Sequence, residues 1–155
     1  MEIKKESTVH ITDRAGLSDT HSLLIDNAVK AAEMAYAPYS KFHVGAALLL
    51  SDDTIVLGNN QENAAYPSGL CAERVAVFAA KANYPNRSIK EVMIVVKTEK
   101  PLKQGFTPPC GSCLQVLWDV QNRQGSPIKI HVLAPDQNVY SVNNVNQFLP
   151  FGFEL

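Results

Sequence analysis

Residues 71–99, CAERVAVFAAKANYPNRSIKEVMIVVKTE, carry two hydrophobic periods in succession. Behind Cys71 the apolar residues Val75, Phe78, Ala79 and Ala82 recur at helical spacing, and Pro85 lies just past the expected end of that helix. The run VMIVVKTE at 92–99 is unbroken and rich in β-branched residues, the pattern of a strand covered on both faces. Helix followed by buried strand is the repeating unit of a layered α/β domain.

The same punctuation extends outward. Upstream, SDTHSLLIDNAVKAAEMAYAP (18–38) has Ser18 as a cap, Leu24, Ala28, Ala31 and Ala35 along one face, and Pro38 as a stop. FHVGAALLL (42–50) and TIVLGNN (54–60) read as a hairpin about SDD, the second strand ending in the polar cluster NNQEN. Downstream, TPPCGSCLQVLWDVQNRQG (107–125) predicts a helix with Cys113, Val116, Leu117 and Val120 on its seam and Gly125 as its end, before two strands, IKIHVLA (128–134) and NVYSV (138–142). The expected fold is therefore α/β, a three-layer α/β/α sandwich on a mixed five-stranded sheet. Residues 1–17 form an arm or short strand, and 18–155 a single domain.

With 155 residues and 46% hydrophobic content, the chain has material for one proper core. Its 14 Lys and Arg are scattered and nearly balanced by 15 Asp and Glu, so nothing in the sequence offers the basic patch that nucleic acid or an anionic membrane requires. The longest apolar run, VGAALLL (44–50), is strand-sized, and the start MEIKKESTVHITDR has neither an apolar segment nor a cleavage site of the secretory kind. The expectation is a soluble, cytoplasmic protein. An odd number of cysteines, three, argues against a disulfide scaffold in such a compartment and for metal or chemistry.

Cys71, Cys110 and Cys113 all fall at predicted helix starts, where unpaired N–H groups and the helix dipole favour thiolates. Zinc takes four ligands, and a catalytic site leaves one of them to water. Three cysteines without a well-placed fourth ligand suit that open kind; His10, His21, His43 and His131 lie outside both motifs and read as surface or satisfied core histidines. On spacing alone, Cys110 and Cys113 equally fit a redox pair or half of a structural zinc knuckle, and Cys71 alone fits a packing residue. Glu73 tips the balance, because a carboxylate two residues after a ligand, on the first turn of the same helix, reaches the open position.

NQENAAYPSGLCAER followed by PPCGSC resembles cytidine deaminase of the homotetrameric, three-cysteine type, and the similarity runs from AYAPYSKFHVGAAL to the tail FLPFGF. The resemblance implies hydrolytic deamination of cytidine and 2′-deoxycytidine, with one Zn2+ per subunit on Cys71, Cys110 and Cys113 and with Glu73 moving protons as base and acid. Arg74 would relieve the negative charge of the thiolates. Asn60 and Glu62 would hold ribose hydroxyls, Phe42 would lie against sugar or base, and the backbone at Ala72 and Cys110 would read the pyrimidine edge. Tyr66 and Phe153 correspond to positions that reach a neighbouring subunit's pocket, and Gln115 would orient the site. One departure is Leu114, where the family commonly has Arg; an apolar pairing with Trp118 is the expectation there. The alternatives are a related zinc deaminase acting on another aminated base or nucleoside, a deaminase of polynucleotides, for which the sequence offers no phosphate-binding surface, and a non-enzymatic zinc or redox module, which has no use for Asn60, Glu62 and Glu73.

Overall fold

The computed structural model describes residues 1–99, 102 and 105–154; Leu155, the end of the expected domain, lies outside the described residues. The strands are β1 (His10–Thr12), β2 (His43–Leu50), β3 (Ile55–Asn59), β4 (Ile89–Lys97), β5 (Lys129–Leu133) and β6 (Val139–Val142), and the α-helices are α1 (Asp19–Glu33), α2 (Ala72–Asn83) and α3 (Gly111–Gln124). All six strands form one sheet in the order β1-β6-β5-β4-β2-β3, with β4 and β5 parallel and every other pair antiparallel. The sheet is thus mixed, as expected, but has six strands rather than five. The sixth is β1, three residues that pair with the edge strand β6 through main-chain bonds, too short to leave an alternating signature in the sequence.

Both faces of the sheet are covered. Ala47, Leu49, Met93, Val95, Leu133 and Val139 point to α1, meeting its Leu24, Ile25 and Ala28. The other set, including Ala46, Leu48, Val92, Ile94, Ile130 and Val132, packs against Ala76 and Val77 of α2 and Leu114 and Leu117 of α3. Each fully buried Leu or Ile contributes about 1.5–3 kcal/mol.

Glycine sets the distance of a helix from each face. At Gly45 on β2 a Cβ would stand 1.9 Å from the Ala28 carbonyl oxygen of α1, and at Gly58 on β3 one would stand 2.4 Å from the Ala76 nitrogen of α2. This close approach corrects the expected face of α2. The residues buried are Ala72, Glu73, Ala76, Val77 and Ala80, not Val75, Phe78, Ala79 and Ala82; Phe78 is 48% exposed. A row of alanines lets the helix backbone settle onto Gly58, which a bulkier stripe would hold off.

Helix α1 begins as the sequence suggests, with the Ser18 hydroxyl accepting from the His21 N–H at 3.2 Å. It ends earlier than Pro38 implies, at Glu33, because the chain departs to pair elsewhere. The Tyr36 N–H donates to the Asn60 carbonyl and the Glu62 N–H to the Tyr36 carbonyl, at 3.0 and 2.8 Å. Helix α3 closes on Gly125, left-handed at φ 67°. Among the described residues no helix is long and apolar enough to cross a membrane.

Candidate active site

The first turns of α2 and α3 meet at one place. Cys71 is the N-cap of α2 and Cys110 the N-cap of α3, and neither uses its side chain as a cap, which leaves both sulfurs free to face each other. Their Sγ atoms lie 3.9 Å apart, and Cys113, one turn into α3 and buried, brings its Sγ to 3.5 Å from that of Cys110. Three sulfurs on a tetrahedral zinc, at about 2.3 Å from the metal, stand about 3.8 Å from one another. The observed spacings bracket that value.

The ionisation of the cluster makes the same case. Contact with the Cys113 thiol, together with Arg74 and Cys110, draws the Cys71 pKa down to about 5, while that neighbouring thiolate and burial push Cys113 up. Cys71 is thus favoured as a thiolate while Cys113 resists ionisation, and metal ligation favours the thiolate form. The residues present therefore fit zinc, with Cys71, Cys110 and Cys113 as its holders.

Glu73, on the first turn of α2, is only 6% exposed, yet it lines the same cleft as Cys71 and Cys110. Burial pushes its carboxyl up to about 7, with the Cys71 charge adding to the effect. A carboxyl poised near neutrality beside a metal cluster is equipped both to take and to give a proton.

Arg74 places Nη2 3.9 Å from Cys71 Sγ, and its buried Nε finds no partner among the described residues. Leu114 is 7% exposed in the core cluster against which Trp118 also packs, so the position where the resemblance leads one to expect Arg is apolar here. Arg74→Ala is expected to weaken zinc retention about 10- to 100-fold, read by chelator competition, as is usual for groups that hydrogen-bond metal ligands. Unchanged retention and unchanged turnover would remove Arg74 from the electrostatics of the cluster.

The cleft, about 990 Å³, opens beside these groups between the start of β2, the end of β4 and the segment after β3. Phe42, Asn60, Glu62 and Tyr66 all line it. The Asn60 amide is engaged with the main chain: its Oδ1 accepts from the Val44 N–H and its Nδ2 donates to the Phe42 carbonyl, both at 2.8 Å. Each atom keeps one further bonding direction. The Glu62 carboxylate accepts from the N–H groups of Tyr39 and Ser40 at 2.9 and 3.3 Å, and the Ser40 side chain foremost among its hydrogen-bond donors lowers its pKa. Tyr39 and Ser40 also line the cleft, a role the sequence did not suggest, since only the fold brings that loop to Glu62.

Three other expected site residues, Ala72, Gln115 and Phe153, are not in the cleft lining. Ala72 is fully buried at the start of α2. Gln115 and Phe153 are brought together outside the cleft lining: Gln115 Nε2 donates to the Phe153 carbonyl and Oε1 accepts from the Phe153 N–H, each at 2.9 Å. Gln115 thus anchors the C-terminal tail. Phe153 and Tyr66 point outward, 68% and 92% exposed in the single chain.

Residues 18–124 match the cytidine and deoxycytidylate deaminase zinc-binding region, and the chain belongs to that family. It is 44% identical over 95 residues to a cytidine deaminase of Halalkalibacterium halodurans, covering 61% of this chain and 67% of that one. To a cytidine deaminase of Sporosarcina psychrophila it is 48% identical over 99 residues, 64% and 68% of the two chains. The crystal structure of cytidine deaminase from Burkholderia pseudomallei superposes with a TM-score of 0.70 at 35% identity, over 86% of this chain and 98% of the other.

Proposed function

We propose that the chain catalyses the hydrolytic deamination of cytidine and 2′-deoxycytidine, giving uridine and 2′-deoxyuridine with release of ammonia. The observation that carries this reading is Glu73, a buried carboxyl raised toward neutral pH on the wall that also presents Cys71 and Cys110. When bound by Cys71, Cys110 and Cys113, zinc supplies Lewis-acid activation of water. Glu73 accepts one proton of the attacking water and passes it to N3 of the cytosine ring as the water oxygen adds to C4; it then takes the proton of the resulting C4 hydroxyl and gives it to the 4-amino group, so that the C–N bond breaks, ammonia leaves and the C4 carbonyl forms. One carboxyl, raised by burial above the usual carboxylate range, serves as base and then as acid. Arg74 keeps the thiolate side of the site from accumulating uncompensated charge.

The nucleoside is held on the sugar side by Glu62 and by the bonding directions left on Asn60, with Phe42 against sugar or base. Main-chain groups at Ala72 and Cys110 read the pyrimidine edge. The exposure of Tyr66 and Phe153 suits side chains that complete the site of a neighbouring subunit, and a homotetramer with shared active sites is the assembly proposed. The enzyme is a cytoplasmic one of pyrimidine salvage.

Cytidine loses characteristic ultraviolet absorbance when its 4-amino group is replaced by oxygen, so mixing zinc-loaded protein with cytidine is a direct test. Loss of that absorbance, with ammonia released in equal amount, is the expected result. Zinc-loaded, folded protein that leaves both cytidine and 2′-deoxycytidine intact would refute the assignment.

A further inference from the structure

We propose that His21, Glu91 and His131 form a second divalent-cation site, of the type that zinc occupies with two imidazoles and one carboxylate. The three come from different elements: His21 from the first turn of α1, Glu91 from β4 and His131 from β5. Parallel pairing sets Glu91 opposite Lys129 and Met93 opposite His131, so Glu91 and His131 are diagonal neighbours on the face that packs against α1. The cysteine cluster belongs to the helices on the other face of the sheet.

Both imidazoles converge on one oxygen. His21 Nε2 is 3.1 Å and His131 Nε2 3.5 Å from Glu91 Oε2, and all three ligand atoms lie within 4.8 Å of one another. Nitrogen and oxygen ligands at about 2.0–2.1 Å from a tetrahedral zinc stand about 3.3 Å apart, which the two measured separations straddle. The imidazole rings are 4.6 Å apart and tilted by 50°, so they approach the carboxylate from separate directions.

The second observation is an orphaned atom. The His131 side chain is 6% exposed, and its Nε2 is buried with no hydrogen-bond partner among the described residues. Its Nδ1 lies 2.8 Å from the Ser141 hydroxyl on the paired strand β6. In the tautomer that donates Nδ1–H to Ser141, the Nε2 lone pair faces Glu91 Oε2, acceptor against acceptor, an arrangement that a cation between them resolves. Histidines that bind metal commonly fix the other ring nitrogen in this way.

The charge balance is compatible with such a cation. Glu91 brings a carboxylate to the pair of imidazoles. Lys129 Nζ lies 3.5 Å from the other oxygen, Oε1, leaving Oε2 to the metal. The His21 side chain is 28% exposed, so the cluster is reached from solvent on that side. A cation here would join the first turn of α1 to the middle strands of the sheet.

Zinc titration of the metal-depleted full chain tests the proposal, with bound metal counted by mass spectrometry and cobalt(II) as a spectroscopic substitute. Two tight equivalents per chain are expected: one cobalt with sulfur-to-metal charge-transfer absorption from the cysteine cluster, and one without it. His21→Ala and Glu91→Gln should each take only the sulfur-bound equivalent, with cytidine turnover unchanged and the zinc-dependent rise in Tm reduced. A single tight equivalent in the folded wild-type chain, or two equivalents retained in both folded variants, would overturn the proposal.

Discussion

Glu73→Gln is expected to lower deamination about 10²- to 10⁴-fold, the usual range for a positioned acid or base, and to do so without loss of zinc. The amide has the size of the carboxyl, so the cleft keeps its shape. It cannot accept the proton of water, nor carry one to N3 or to the departing amine. Glu73 does not belong to the cysteine cluster, so metal content should be unchanged. The fold should tolerate the substitution, because the side chain is 6% exposed and its burial already disfavours charge. Turnover and zinc content measured on the same preparation separate the outcomes. Full activity with zinc bound would exclude Glu73 as the proton carrier, whereas parallel loss of zinc and activity would make it a support of the metal.

The second large effect is structural and falls on Gly45. An alanine Cβ would stand 1.9 Å from the Ala28 carbonyl oxygen and 2.5 Å from the Ala32 nitrogen, both main-chain atoms of α1 with no rotamer to yield. The helix must lift from the sheet, giving up contacts of Leu24, Ile25 and Ala28. Overpacking of ordinary cores costs about 1–3 kcal/mol, and a clash with helix backbone belongs at or beyond the upper end, about 3–5 kcal/mol. Urea denaturation should show a large drop in midpoint with the slope unchanged. Gly58→Ala offers the contrast. There the clash is with Ala72 and Ala76 of α2, the helix whose N-cap is Cys71, so metal affinity should fall along with stability. A Gly45→Ala protein as stable as the wild type would mean that α1 does not rest on β2 as closely as described.

The site was legible where its chemistry is local. Cys71, Glu73 and Arg74 occupy one turn, and Cys110 and Cys113 another; residue type, spacing and a helix start are all written within a few positions. The succession of helices and strands was legible for a similar reason, because helical period and unbroken β-branched runs are short-range signals. What escaped was set by distant partners. The buried face of α2 depends on the absence of a side chain at Gly58, and a period read from bulk alone favours Phe78, which the structure exposes. The amide of Asn60 reads as a polar loop residue until β2 is placed beside it. His21, Glu91 and His131 are far apart in the chain and share no motif, so only the folded sheet discloses that they meet. Strand β1 is specified by the free edge of β6 more than by its own three residues.

Gly152 lies flat against the indole of Trp118, where a Cβ would come within 2.3 Å of the ring, and the neighbouring Phe153 main chain is tied on both sides to Gln115. Trp118 is the chain's single tryptophan. The emission of one fluorophore therefore reports the seating of the C-terminal tail, and the chain carries an optical gauge of that docking without any label attached.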